Sequence, residues 1–252
     1  PTTAVPNGVA MYDSTGDGLY ADRIVVPSIW GQVWLYDIEG ANALGTSALF
    51  QFSEDFHSVG GTPTVYADLT TGELHAAFTS GGYTDQLAPL GIDTVWSPQT
   101  EEQWLIAVNL DPATRPMKEN VAGNYGGDLV LKVNLGNGER GFSQAIVTGD
   151  DILVVTDSTD VNRSTYGSSP GTGAVRRYNL TDHTQVGNTE DITGGASSVE
   201  ITGDKENVVI GSGQDARRMD VQDQFGEEIG TGRTIEQTSG GSGTTRLLWL
   251  GG

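Results

Sequence analysis

Cysteine is absent from the 252 residues. Disulfides and thiolate metal sites are therefore excluded, while the redox compartment stays open, because cysteine-free chains occur in secreted and intracellular settings alike. Basic residues are also scarce. Thirteen face thirty-three acids, for a formal net charge of −20, and only Lys118, Lys132 and Lys205 are lysines. Nucleic acid and anionic membrane surfaces repel such a chain, so neither is an expected partner. The bias suits a surface bathed in salt or divalent cations. No apolar run approaches the ~20 residues that span a bilayer, so no membrane span is expected. The chain opens at Pro1-Thr2-Thr3 without a basic-then-apolar leader, so any signal peptide is expected to have been removed or to lie outside this sequence. The three histidines, His57, His75 and His183, stand far apart in sequence. No H-E-x-x-H pair occurs, which leaves zinc-protease chemistry without a signature. No apolar stripe at helical spacing runs beyond two turns.

What is present is glycine, 36 residues of it, and short apolar runs separated by turn chemistry. Arg23–Ser28, Gln32–Ile38, Thr62–Asp68, Glu73–Thr79, Trp104–Leu110, Ile152–Asp157 and Ala174–Leu180 read as strands. They are punctuated by turns such as Thr70-Thr-Gly72 and Gly149-Asp-Asp151. The expected fold class is all-β. Four runs share one ending, an apolar strand closed by Asp or Asn and an aliphatic residue: Trp34–Ile38, Trp104–Leu110, Val130–Leu135 and Val175–Leu180. Groups of three or four strands recurring every roughly 40–55 residues predict a β-propeller of about four blades, with a β-sandwich pair as the other all-β solution. The chain is expected to be a single propeller domain over residues 1–252, or the C-terminal part of one whose other blades precede it or come from another chain. The stretches at 81–103 and 161–172 are longer than hairpins need and read as surface insertions.

The most informative ten residues are Asp13-Ser14-Thr15-Gly16-Asp17-Gly18-Leu19-Tyr20-Ala21-Asp22. Oxygen-bearing side chains fall at relative positions 1, 3 and 5, a glycine follows at 6, and a carboxylate sits at 10. Such a loop turns hard oxygens toward one point and predicts Ca²⁺, held by Asp13, Thr15 and Asp17, the backbone carbonyl of Leu19, and Asp22. Position 12 is Ile24, not glutamate. The expected affinity is therefore weak, on the order of 10⁻⁴ to 10⁻³ M. An Asp/Gly turn without an ion is the plainer reading of the same residues.

The run Asp13…Gly16-Asp17-Gly18…Asp22-Arg23…Gly31-Gln-Val-Trp34…Asp37 resembles an element of PilY-type proteins, the tip adhesins and biogenesis factors of bacterial type IV pili. Further matches keep that family's order: Leu49-Phe50, Gly61-Thr-Pro-Thr-Val65, Phe78-Thr-Ser-Gly-Gly-Tyr83, Gly138-Glu-Arg-Gly…Ile146-Val147, Gly173–Leu180 and Arg246-Leu-Leu-Trp249. The resemblance covers nearly the whole chain, as the C-terminal half or so of the family's propeller domain. It implies a modified propeller at the cell surface or pilus tip and calcium-dependent control of pilus extension and retraction, together with adhesion. The partners implied are pilin or minor pilin subunits and a host or environmental surface. The chain departs from the family where Ala21 holds loop position 9, where Thr15 replaces Asp or Asn at position 3, and where the Phe78–Tyr83 segment lacks an arginine.

Other patterns have plainer readings. Gly211-Ser-Gly213-Gln-Asp-Ala216 fits a relaxed dinucleotide fingerprint, but the alternating Arg217–Val221 run that follows predicts a hairpin rather than the helix such a site requires. Trp34, Trp104 and Trp249 are expected in the core, and Trp96 in the 81–103 loop is the candidate exposed contact. Asn162-Arg-Ser164 and Asn179-Leu-Thr181 match a glycosylation sequon that is common by chance. The expectation is a non-catalytic calcium-binding surface protein. The alternatives are a quinoprotein-like propeller enzyme and a structural surface or filament protein.

Overall fold

A computed structural model describes residues 8–16, 18, 20–38, 42–43, 48–52, 59–81, 102–110, 129–137, 139–141, 144–158, 172–187, 189–193, 198–201, 207–212, 215–220 and 233–235. Among these, every regular element is a strand and every pairing is antiparallel.

The strands form four sheets in chain order. The first holds β1 (Ala10–Tyr12), β2 (Arg23–Pro27), β3 (Gln32–Asp37) and β4 (Asn42–Ala43), with β5 (Phe50–Gln51) also on β3. The second is the meander β6 (Thr64–Ala67), β7 (Leu74–Thr79), β8 (Glu102–Asn109) and β9 (Leu129–Asn137). In the third, β10 (Glu139–Arg140) and β11 (Ile146–Thr148) both line β12 (Asp151–Ser158), followed by β13 (Thr172–Asn179) and β14 (Glu190–Thr193). The fourth runs β15 (Ser198–Ile201), β16 (Asn207–Ser212), β17 (Asp215–Asp220) and β18 (Arg233–Ile235). Strand β1 adjoins β6, β6 adjoins β11, and β12 adjoins β15, so the sheets stack in succession. This is the arrangement of propeller blades.

The repeated ending seen in the sequence has a structural cause. In each sheet a residue at the start of the second strand, the first or, in β7, the second, faces the Asp or Asn that closes the third: Arg23↔Asp37, His75↔Asn109, Asp151↔Asn179 and Asn207↔Asp220. In the first three sheets the next residue returns its N–H to the strand before. Ile38 donates to the Asp22 carbonyl (2.9 Å), Leu110 to Leu74 (2.7 Å) and Leu180 to Asp150 (2.7 Å). At the opposite end, the Ser28 hydroxyl accepts the N–H of Gln32 (3.2 Å) and the Ser80 hydroxyl that of Trp104 (2.8 Å), capping β3 and β8 alike. One expectation is corrected. Val130–Leu135 lies in β9, the fourth strand of its blade, and the true counterpart in the last sheet is Asp220.

Packing between blades buries alternate faces. Tyr12, Val25, Val33, Leu35, Phe50 and Phe52 of the first sheet and its edge meet Ala76, Phe78, Ile106 and Val108 of the second. Phe50 sits edge-on to both Phe52 (4.9 Å between centroids) and Phe78 (5.3 Å). The opposite face of the second sheet, with Tyr66, Ala77, Leu105, Ala107 and Leu131, packs on Ala145, Ile152, Val154 and Tyr178 of the third. Strand β8 is thus buried on both faces from Leu105 onward, which explains its unbroken apolar run. Trp104 packs against the first of these cores, as expected, with the Lys132 ammonium 4.1 Å from its ring centre. Between the second and third blades, Gly141 N–H donates to the Ser80 carbonyl (3.1 Å) and its own carbonyl accepts from the buried Thr79 hydroxyl (3.1 Å).

Candidate functional site

The aspartate loop connects β1 to β2 and is closed at its base by Asp22 N–H on the Tyr12 carbonyl (3.1 Å). Gly16 and Gly18 both adopt left-handed backbone, φ 71° each, with no Cβ to resist it. These two residues turn their N–H groups inward onto Asp13. One Asp13 oxygen accepts from Thr15 N–H (2.9 Å), the Thr15 hydroxyl (2.8 Å) and Gly16 N–H (3.0 Å); the other accepts from Gly18 N–H (2.6 Å). Donors aimed at a carboxylate favour its ionised form. The Thr15 hydroxyl foremost, then the Gly18 N–H, bring the Asp13 pKa from 3.8 to about 2.

The far end of the loop is built differently. Asp22 accepts from Ser14 N–H (2.7 Å) on one oxygen and from the Ser14 hydroxyl (2.6 Å) on the other, and these bonds hold its carboxyl below the usual range. Arg23 lies 3.0 Å from Asp22 Oδ2 and 3.5 Å from Asp37 Oδ1, so one guanidinium faces two carboxylates.

Of the five expected ligands, Asp17 and Leu19 fall outside the described residues. Asp13 and Thr15 are brought together. Asp22 is turned to Ser14 and Arg23. Among the described residues no group of three or more His, Cys, Asp or Glu stands ready around an ion. The donor chemistry of Asp13 and Thr15, a carboxylate beside a hydroxyl, suits a hard cation; Asp13 and Asp22 both already accept hydrogen bonds within the loop. Sequence reasoning passed over Ser14, because ligand spacing directs attention to odd positions. It also passed over the pairing role of Arg23, for which the signal was the Asp22-Arg23 pair set opposite Asp37.

The other candidates resolve as follows. His75 is buried on β7, edge-on to Tyr66 (5.3 Å), with neither ring nitrogen hydrogen-bonded and Glu73 Oε2 3.7 Å from Nε2. His183 lies exposed in the turn after β13 with φ 63°, and His57 is outside the described residues. Gly211 faces Ala216 and Ser212 faces Asp215 across a β16–β17 hairpin, so the dinucleotide reading fails for want of a helix. Both ends of the Asn179 amide are engaged. The nitrogen donates to Asp151 (3.2 Å) and the oxygen accepts from Thr181 and Asp182 N–H (2.8 and 3.1 Å), so the folded sequon offers no free acceptor. Trp34 lies half-buried on the face of the first sheet turned away from the core, contrary to the expectation of burial, because the second blade covers only the Val33 and Leu35 side of β3. Trp96, Trp249, Asn162, nearly all of 81–103 and the 161–172 stretch apart from Thr172 lie outside the described residues.

No protein-family model matches the chain, and no curated protein does. Among solved structures it is similar to the C-terminal domain of Pseudomonas aeruginosa PilY1, with 10% identity, TM-score 0.53, and 82% of this chain covered against 59% of that one. It is also similar to the quinohemoprotein alcohol dehydrogenase ADHIIG of Pseudomonas putida HK5, with 8% identity, TM-score 0.50, and 86% covered against 33%. The chain therefore spans about three fifths of the first and a third of the second. At such identities the likeness is one of fold: this is a β-propeller chain.

Proposed function

We propose that this propeller chain is a calcium-binding protein of the bacterial cell surface that acts, without catalysis, in type IV pilus biogenesis and adhesion. The observation that carries the reading is Asp13, a carboxylate cradled by three backbone N–H groups of its own loop and backed by the Thr15 hydroxyl. The ordered motifs that resemble PilY-type proteins support it, and a fold shared with the PilY1 domain is consistent with it. Asp13, Thr15, Asp17, the Leu19 carbonyl and Asp22 would hold the ion. Bound calcium supplies positive charge against clustered carboxylates. The chain's part is to present those oxygens. The N–H groups of Thr15, Gly16 and Gly18 fix Asp13, and Asp22 would offer a carboxylate oxygen to the ion while Arg23 faces Asp37. Binding there would stiffen the β1–β2 hairpin and alter the surface offered to a pilin or minor pilin subunit, or to a host or environmental surface.

Calorimetric titration of the full chain with Ca²⁺ tests the metal reading. A saturable heat is expected with Kd on the order of 10⁻⁴ to 10⁻³ M, and Asp13→Ala and Asp17→Ala should each weaken it at least about tenfold. Equal heats from all three proteins would end it. The fold shared with a quinohemoprotein dehydrogenase favours one second reading, a quinone-dependent enzyme, for which a coloured, reducible preparation would speak.

A further inference from the structure

Arg23, the first residue of β2, stands between two carboxylates of the first sheet. Its Nη1 lies 3.0 Å from Asp22 Oδ2 and 3.5 Å from Asp37 Oδ1, and it donates to the Asp22 carbonyl at 3.1 Å. All three side chains are partly buried, with 22%, 23% and 31% exposed for Arg23, Asp22 and Asp37. The register sets Arg23 directly opposite Asp37, the residue that closes β3. The same place in the second sheet pairs His75 with Asn109, and in the third Asp151 with Asn179. Of these three pairs only the first joins a permanent cation to a carboxylate, and that cation also reaches Asp22.

Both Asp22 oxygens are engaged. Oδ1 accepts the Ser14 N–H, while Oδ2 accepts the Ser14 hydroxyl and faces Arg23. A dication arriving at Oδ2 can be met by the hydroxyl, which rotates and is acceptor as well as donor. The guanidinium has donors only, and the dication repels it. Asp37 gives the displaced charge a second berth. The Asp22 carbonyl also takes the Ile38 N–H at 2.9 Å, so it belongs to the paired end of β3. The Nη1 bond to that carbonyl can persist while the guanidinium turns from one carboxylate to the other. We propose, on the calcium reading above, that Arg23 is a tethered competitor for the cation at Asp22. It is shared with Asp22 in the calcium-free chain and passes to Asp37 when calcium binds. Arg23 thereby lowers the affinity of the loop and relays its occupancy to the end of β3.

Calorimetric titration of the full chain with Ca²⁺ tests this. Arg23→Gln should tighten Kd by roughly three- to tenfold, the range that one partly exposed charge pair supports. A purely structural arginine predicts the opposite sign. A weaker or unchanged Kd in Arg23→Gln therefore overturns the proposal and leaves the calcium reading standing, whereas no heat from either protein overturns both. Asp37→Asn removes the second berth. It should weaken binding by about threefold in the wild-type background and leave Kd unchanged beside Arg23→Gln. Equal weakening in both backgrounds would be the mark of long-range charge alone and overturns the relay. One readout needs no substitution. In the unaltered chain the Arg23 Nε–H resonance should shift with the same midpoint as the heat, and a resonance unmoved at saturating Ca²⁺ overturns the proposal.

Discussion

Gly141→Ala isolates the contact that joins the second and third blades. Gly141 is not in the left-handed region, so its backbone would accept alanine. On chain entropy alone, the substitution would stabilise by about 0.4–1 kcal/mol. The surroundings oppose this. A Cβ built there overlaps Thr79 Oγ1 and Cβ and comes within 2.9 Å of Thr79 Cγ2. Overpacking of that kind costs roughly 1–3 kcal/mol. Separation of the strands also strains the Gly141 N–H bond to Ser80 and the Thr79 hydroxyl bond to Gly141, each worth about 0.5–1.5 kcal/mol. The clash wins, and the net loss is about 2–4 kcal/mol, or roughly 5–15 °C in Tm for a chain of this size. Urea unfolding followed by far-ultraviolet circular dichroism measures it. Adding Thr79→Ala should restore less than half, since the Cβ of residue 79 is itself part of the overlap. A variant as stable as wild type would refute the junction described.

Two further outcomes follow from the hydrogen bonds. The Asp13 pKa is depressed, so the stability its cradle contributes is whole above about 4 and is lost as pH falls through about 2; a carboxyl-carbon NMR titration with its midpoint near 4 would show the cradle to be absent. Asn179→Asp sets a second carboxylate against buried Asp151 and should cost about 1–3 kcal/mol in urea unfolding. Unchanged stability would mean that the Arg177 pairing alone satisfies Asp151.

Much of this architecture was legible because blade strands are short apolar runs bounded by turn residues. How many faces each buries was not: Arg23–Pro27 and Gln32–Asp37 run apolar although their burial alternates. Leu105–Asn109 runs apolar too and is buried throughout, since two neighbours claim it. The Asp/Asn ending was visible as a pattern because it serves a cross-strand pair. Val130–Leu135 matched that pattern by composition and lies elsewhere, since sequence does not reveal which strand of a blade a run occupies. The loop's glycines and Asp13 were legible from turn chemistry. The hold of Ser14 on Asp22 was not, because it depends on how far the loop folds back.

Three alanines stand on the buried faces of the second blade. Ala76 faces one neighbour, while Ala77 and Ala107 face the other, interleaved with Phe78, Leu105 and Ile106. Interiors at crystal-like density have no slack. The wedge angle between successive sheets is therefore written in side-chain volumes, small against large, rather than in the connecting turns. A methyl group added at Ala77 would pry two blades apart, and the circumference that such sheets can close is set at positions like these.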